Sequence, residues 1–300
     1  MNSIFTSNIG VRAALLAGGA LPASFTRKLG TWAADRLASR KSSPMVRAVR
    51  ANQWVVRGER LSTLELEQAV RDVFRQSAVG LADLYHAFRR PEELLRLAPR
   101  FPEMDALIRR SQEKKNPAVV VISHSSNFDL FLLAHSMRGL AGQVLTYAQP
   151  TGGYQIQNEI RAAHSSSIQV TPINQRALRM AIENLRHGGT VYTGVDRPED
   201  TNGMELSFFG RSAWLPVGHV RLAMKVGVPI IVIAVFHSPD GFYRALISEP
   251  LAMEVNRDPR LAIKQNAQQV LDVLSGFILR APEQWLMFYP VWPEALKQMP

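Results

Sequence analysis

The spacing of apolar residues changes near residue 116, and the change divides the chain. Across residues 62–90 (STLELEQAVRDVFRQSAVGLADLYHAFRR), Leu64, Leu66, Val70, Phe74, Leu81, Leu84 and Phe88 recur at roughly helical spacing behind a Ser62/Thr63 cap. That pattern predicts one long amphipathic helix or two. A shorter helix is expected after Pro102, ending near Lys114 and Lys115. Beyond it the chain alternates. AVVVIS (118–123) is a short apolar run rich in β-branched residues, followed by a helical pattern over 127–138 and a strand-like QVLTYA (143–148). The alternation continues through IQVTPI, a helix over 176–187, TVYTGV, a helix over 217–226 and PIIVIAVF; FYRALIS reads as a further strand and 258–280 as a closing helix. Strands alternating with helices predict an α/β fold: a mostly parallel central sheet flanked by helices on both faces. The expected plan is a helical N-terminal, membrane-associating region over 1–115 and an α/β catalytic body over 116–300.

Composition narrows the class. Three hundred residues, 46% of them hydrophobic, suffice for one large core or two modest ones. The longest bilayer-spanning candidate, AALLAGGALPASF, is interrupted by Gly18, Gly19 and Pro22, so no spanning helix is expected. The leader MNSIFTSNIGVR holds one Arg and runs straight into basic amphipathic sequence, which favours a retained segment over a cleaved signal, and hence the cytoplasm. With no cysteine, disulfides, thiolate metal sites and a Cys nucleophile are excluded.

Charge adds a location. Residues 1–60 hold ten Lys/Arg against Asp35 and Glu59, a surplus of eight out of a net +10. Interleaved with them are Ile9, Val11, Leu15, Leu16, Leu21, Phe25, Leu29, Trp32 and Leu37. This mixture suits a helix lying in a bilayer interface, with anionic lipid as partner. An ordinary basic helix packed on the body is the other reading. Nucleic acid is disfavoured, because no recognised binding motif accompanies the charge.

The chemistry centres on ISHSSNFDLF, which follows a buried-looking strand and opens a helix, where α/β sheets place their active sites. His124 lies five residues before Asp129, so on a regular helix of about 100° per residue the two would occupy different faces. They meet only if His124 precedes the helix and the first turn folds the carboxylate back. Such a pair suits acyl transfer: a neutral imidazole takes the proton of a weakly nucleophilic hydroxyl, and the carboxylate fixes its tautomer. The structural alternative is that Ser126 and Asp129 form the S-x-x-D version of a capping box.

HSSNFD resembles the H-x4-D/E motif of the lysophospholipid acyltransferase superfamily, in the branch of lipid A secondary acyltransferases and actinobacterial phosphatidylinositol mannoside acyltransferases. LRHGGTVYTGVDRPED, MELSFFGRSAWLPVGHVRLAMKVGVPIIVIAV and PEQWLMFYPVW resemble further family blocks in order, so the likeness spans nearly the whole chain. It implies that His124 is the general base and Asp129 its orienting carboxylate. It further implies that Asn127 shapes the site, and that Asp196 and Arg197 contact polar groups of acceptor or donor, against a solvated loop ion pair. Glu205 would help hold the acceptor. Phe208 and Phe209, with Gly210, would line the acyl groove, against plain core packing. Many relatives that acylate lipid A carry Gly, Trp and Glu where this chain has Ser126, Phe128 and Asp129, which brings it closer to the mannoside-acylating type.

The sequence lacks the glycines of a G-x-S-x-G elbow around Ser123 and Ser125, and it has no P-loop, no G-x-G-x-x-G and no H-E-x-x-H. A metal-independent mechanism without a cofactor is expected. The implied activity is transfer of a fatty acyl chain from acyl carrier protein or acyl-CoA to a hydroxyl of a membrane glycolipid, on the cytoplasmic face of the cell membrane, in a peripheral or monotopic protein. The alternative is a catalytically silent lipid-binding or membrane-scaffold protein of the same fold.

Overall fold

All five residues of β1 (Ala118–Ile122) are buried, and they divide between two cores. Val119 and Val121 enter one; Ala118, Val120 and Ile122 enter the other. An unbroken apolar run is what a strand covered on both faces requires. The structure is a computed structural model and describes residues 8–149, 153–163, 167–198 and 203–300. The first seven residues of the basic arm, the side chains of Ile9 and Val11, and Glu199 and Asp200 of the VDRPED loop lie outside the described residues.

Around β1 stand β2 (Gly142–Thr146), β3 (Ile168–Pro172), β4 (Thr190–Gly194), β7 (Ile230–His237) and β8 (Tyr243–Ile247), in the order β3-β2-β4-β1-β7-β8. Every pairing is parallel except β7 with β8. A separate antiparallel hairpin joins β5 (Gly203–Phe208) to β6 (Arg211–Pro216). Neither strand of this hairpin is among those that the alternation of strands and helices predicts. Val-rich periodicity marks the sheet, whereas β6 is read from its pairing with β5.

Eleven α-helices are described. Six precede β1: α1 (Asn8–Ala20), α2 (Ala23–Ala38), α3 (Pro44–Val56), α4 (Thr63–Ala87), α5 (Pro91–Leu97) and α6 (Pro102–Glu113). The remainder are α7 (Phe128–Ser136), α8 (Gly153–Arg161), α9 (Gln175–Arg186), α10 (Gly218–Val226) and α11 (Pro259–Ile278). Residues of α9, α10 and α11 share the Val119 core, while α4, α5, α6, α7 and α8 contribute to the Val120 core. Thus helices cover both faces of the sheet, as the alternation predicts.

The long N-terminal pattern is one helix rather than two. Ser62 and Glu65 close a reciprocal capping box at the start of α4. Toward its other end the buried Asp83 accepts hydrogen bonds from Arg27 of α2 (2.5 Å) and from the Tyr243 hydroxyl of β8 (2.8 Å). Three separate elements therefore meet at one carboxylate. At Gly18 of α1 a Cβ would lie 2.7 Å from that of Tyr85, so only glycine permits this approach of α1 to α4. No helix among the described residues is long and apolar enough to cross a membrane.

Two buried histidines set a pH limit on this packing. Burial pushes His135 of α7 and His219 of α10 down to about 3 from an ordinary 6.5. The unfolded chain then binds more protons than the folded one between these values, so stability is full above about pH 6.5 and declines as pH falls toward 3. The urea midpoint should therefore drop on acidification through this window, and by less in His219→Gln. An identical acid response in native and variant would contradict the assignment.

Candidate active site

The register of β1 against β4 fixes the geometry of the site. Ile122 pairs with Gly194, so His124 and Asp196 each lie two residues beyond the carboxyl ends of adjacent parallel strands. They meet there directly. His124 Nδ1 is 2.6 Å from Asp196 Oδ1, and the His124 backbone N–H donates to Asp196 Oδ2 at 2.9 Å. The Trp285 indole donates to the same Oδ2 at 2.8 Å.

Asp196 has no solvent exposure. Burial on its own would raise its pKa. The facing His124 and the hydrogen bonds from His124 and Trp285 outweigh that effect and hold the carboxyl below its ordinary value. An ionised Asp196 accepts only, which requires the proton on Nδ1 and leaves the Nε2 lone pair free to act as base. The His124 side chain remains 32% exposed, so the ring is reachable. Phe128 meets it edge-on, with ring centroids 5.8 Å apart. Opposite, a Cβ on Gly194 would come within 3.0 Å of His124 Cε1, so the glycine leaves room for the imidazole.

The turn that presents His124 is braced by the chain's C-terminal segment. Leu286 N–H donates to His124 O and Ser126 N–H to Gln284 O, both at 2.7 Å, and Ser125 forms a bridge with Trp285. Ser126 adopts a left-handed conformation at φ 48°, and this reverses the chain into α7. The cap of that helix is Asn127, not Ser126: its Oδ1 accepts from Leu130 N–H at 3.0 Å. The other end of the Asn127 amide donates to the Gly80 carbonyl of α4. One N–H and the carbonyl oxygen of this side chain are thus engaged within the protein, fastening α7 to α4, where the resemblance implied that Asn127 shapes the site.

Asp129 is likewise placed differently from expectation. Rather than folding back to His124, it forms a two-point ion pair with Arg161 of α8, at 2.6 and 3.2 Å. The first turn of α7 carries Phe128 toward His124 and Asp129 toward α8, because neighbouring helical residues diverge by about 100°. Arg161 also lies 5.4 Å from the Phe128 ring centroid. The pair therefore backs the aromatic wall of the site.

The remaining residues separate into mouth, core and surface. The Arg197 guanidinium stacks 3.9 Å from the Tyr289 ring centroid and 5.3 Å from that of Tyr147. It makes a cationic edge beside the Asp196 strand end, not an ion pair with Asp196. Phe208 is buried and, with Phe209, packs against Trp285 and Trp292, so these aromatics brace the indole that holds Asp196. Glu205 lies on the exposed face of the hairpin, accepting from the Ser212 hydroxyl at 2.5 Å. Sequence reasoning named Asp196 without its partner and missed Trp285 and Arg161. Equal offsets of His124 and Asp196 from their strand ends were the available signal, but strand order is needed to use it. Among the described residues, no cluster of three His, Asp or Glu is arranged to hold a metal ion.

If Asn127 is a structural fastener, Asn127→Ala should lower unfolding free energy by about 2 kcal/mol through the lost cap and the lost Gly80 bond. Asn127→Ser, which retains a cap, should lose less. Urea denaturation reads both, and an undiminished stability of the alanine variant would contradict this role.

Comparison with known proteins identifies the family. Residues 3–294 match the family described as bacterial lipid A biosynthesis acyltransferase. Two phosphatidylinositol mannoside acyltransferases of Mycobacterium tuberculosis, from strains CDC 1551 / Oshkosh and ATCC 25618 / H37Rv, are each 25% identical over 179 residues. Those matches cover 58% of this chain and 54% of each relative, so the chain spans about half the length of the curated relatives it matches. With the family match running through every strand and through both His124 and Asp196, the chain belongs to the bacterial lipid A biosynthesis acyltransferase family.

Proposed function

We propose that the protein is an O-acyltransferase that moves a fatty acyl chain from a thioester onto a hydroxyl of a membrane glycolipid, with His124 as general base and Asp196 as its orienting carboxylate. The observation that carries this reading is the His124 Nδ1–Asp196 contact of 2.6 Å beneath an accessible ring. In the first step Nε2 takes the acceptor hydroxyl proton while the oxygen attacks the thioester carbonyl carbon. The resulting oxyanion collapses, the carbon–sulfur bond breaks, and the imidazolium returns its proton to the departing thiolate. An ester and a free thiol result. Asp196 stabilises the imidazolium between the two transfers without being protonated itself.

The thioester donor is acyl carrier protein or acyl-CoA. A glycolipid acceptor accords with the names of the mycobacterial relatives and with Asp129 in place of the Glu common in lipid A acylators. Arg197, held by Tyr289 and Tyr147 beside the dyad, is suited to an anionic group on acceptor or donor.

Membrane docking is the second part of the proposal. Phe25, Leu29 and Trp32 lie exposed along one face of α2, with Lys28 and Arg36 beside them, and Ala34 and Ala38 are buried on the opposite side. An apolar stripe edged by cations fits an anionic leaflet, on the cytoplasmic side where the thioester is made available.

Mass spectrometry of total lipids from cells producing the native chain should reveal a species heavier by one acyl chain, absent with folded His124→Ala. Matching lipid profiles, with donor and acceptor both available, would favour a silent lipid-binding scaffold instead. Asp196→Asn should retain the fold and lose turnover by about 10²–10⁴-fold. The triple change Phe25→Ser, Leu29→Ser and Trp32→Ser should move the protein from vesicles to the supernatant; unchanged sedimentation would remove α2 from the docking surface.

A further inference from the structure

A cleft of about 240 Å³ opens between α2, α3 and α4, built from the helices that precede the catalytic sheet. Four cations line it, Lys41, Arg50, Arg71 and Arg75, against two carboxylates, Asp35 and Glu67. The carboxylates are engaged by three of the cations. Arg75 makes a two-point pair with Asp35 at 2.7 and 2.9 Å. Lys41 bonds to Glu67, and Arg50 lies 3.8 Å from the same carboxylate while donating to the Pro300 carbonyl at 2.6 Å. Arg71 differs from them. It is close enough to Asp35 and Glu67 to help hold both carboxyls below their ordinary values, yet its Nε is buried and has no hydrogen-bond partner.

A guanidinium N–H shut away from solvent without an acceptor is unfavourable, and an incoming oxyanion relieves that state. The surplus of two positive charges and the forked donors of arginine suit a phosphate in particular. The cleft lies along the flank of α2, lined there by Asp35, the buried Ala38 and the C-cap Ser39, beside the exposed face that carries Phe25, Leu29 and Trp32.

We propose that this cleft binds the phosphate group of a ligand, with Arg71 as the central donor and Lys41 at its rim. The phosphate belongs either to a lipid headgroup, reached along the exposed face of α2, or to a soluble phosphate ester. This site is separate from the His124–Asp196 dyad and does not depend on acyl transfer.

Two measurements on the full chain test it, each with native protein, Arg71→Gln, Lys41→Gln and the control Arg179→Gln on the exposed face of α9. The first is thermal melting in millimolar inorganic phosphate against chloride at equal ionic strength. The second is co-sedimentation with phosphatidylcholine vesicles containing phosphatidic acid. Native protein and Arg179→Gln should behave alike, while Arg71→Gln should lose phosphate stabilisation and about fivefold in vesicle affinity, the effect of one cation near a charged surface. Loss in both arms, or in the vesicle arm alone, identifies a lipid phosphate; loss of phosphate stabilisation alone identifies a soluble ligand. Native-like responses of Arg71→Gln in both arms, or an equal loss in Arg179→Gln, would overturn the proposal. Native-like melting in chloride establishes that Arg71→Gln is folded, and the exposed Lys41 supplies the test if it is not.

Discussion

A carboxylate with no access to water lies at the centre of this molecule, and three N–H groups make it tolerable there. Asp196 is held by the His124 backbone, the His124 ring and the Trp285 indole, and each donor comes with structural commitments of its own. The backbone donor requires the turn after β1 to sit in register with the end of β4. The indole requires the C-terminal segment to return across the sheet. Removing one partner of such a buried, hydrogen-bonded charge leaves the other uncompensated, so the site and the fold around it are coupled.

This coupling explains why elements far apart in sequence converge. Gln284 and Leu286 pair with the His124–Ser126 turn, and Phe208, Phe209 and Trp292 pack around Trp285. From the other side, Gly80 of α4 receives the Asn127 amide, and Arg161 of α8 holds Asp129. Within the H-x4-D spacing the aspartate anchors the helix that carries Phe128 against the histidine, and the proposed reaction assigns the chemistry to the histidine alone. A general base gains from such rigidity, since its ring must remain in one tautomer and one orientation through two proton transfers.

Much of the sheet was legible in the sequence. The central strands β1 and β7 are runs of Val and Ile buried along most of their length, the outer strands β3 and β8 are only partly buried, and each of the predicted segments forms a strand. The Ser62 cap and the amphipathic pattern through Phe88 marked a helical stretch and its start, while leaving open whether it is the one helix, Thr63–Ala87, that forms. What the sequence concealed was adjacency. Neither the insertion of β4 between β2 and β1 nor the return of Trp285 has a local signature, so Asp129, five residues from His124, was the more visible partner than Asp196, seventy-two residues away. Asn127 misled for a related reason: its spacing within the motif is apparent, whereas its bond to Gly80 spans forty-seven residues. β6 escaped because RSAWLP alternates weakly and is defined by its partner.

The central claim is that Asp196, and not Asp129, fixes the His124 imidazole. Long-range ¹⁵N–¹H NMR of the histidine rings measures this directly, because it reports which nitrogen carries the proton. The native chain should place the His124 proton on Nδ1 at neutral pH, and Asp129→Asn should leave it there while Asp196→Asn shifts or averages the tautomer. Loss of the Nδ1–H form in Asp129→Asn, with the Asp196→Asn spectrum unchanged, would contradict the account.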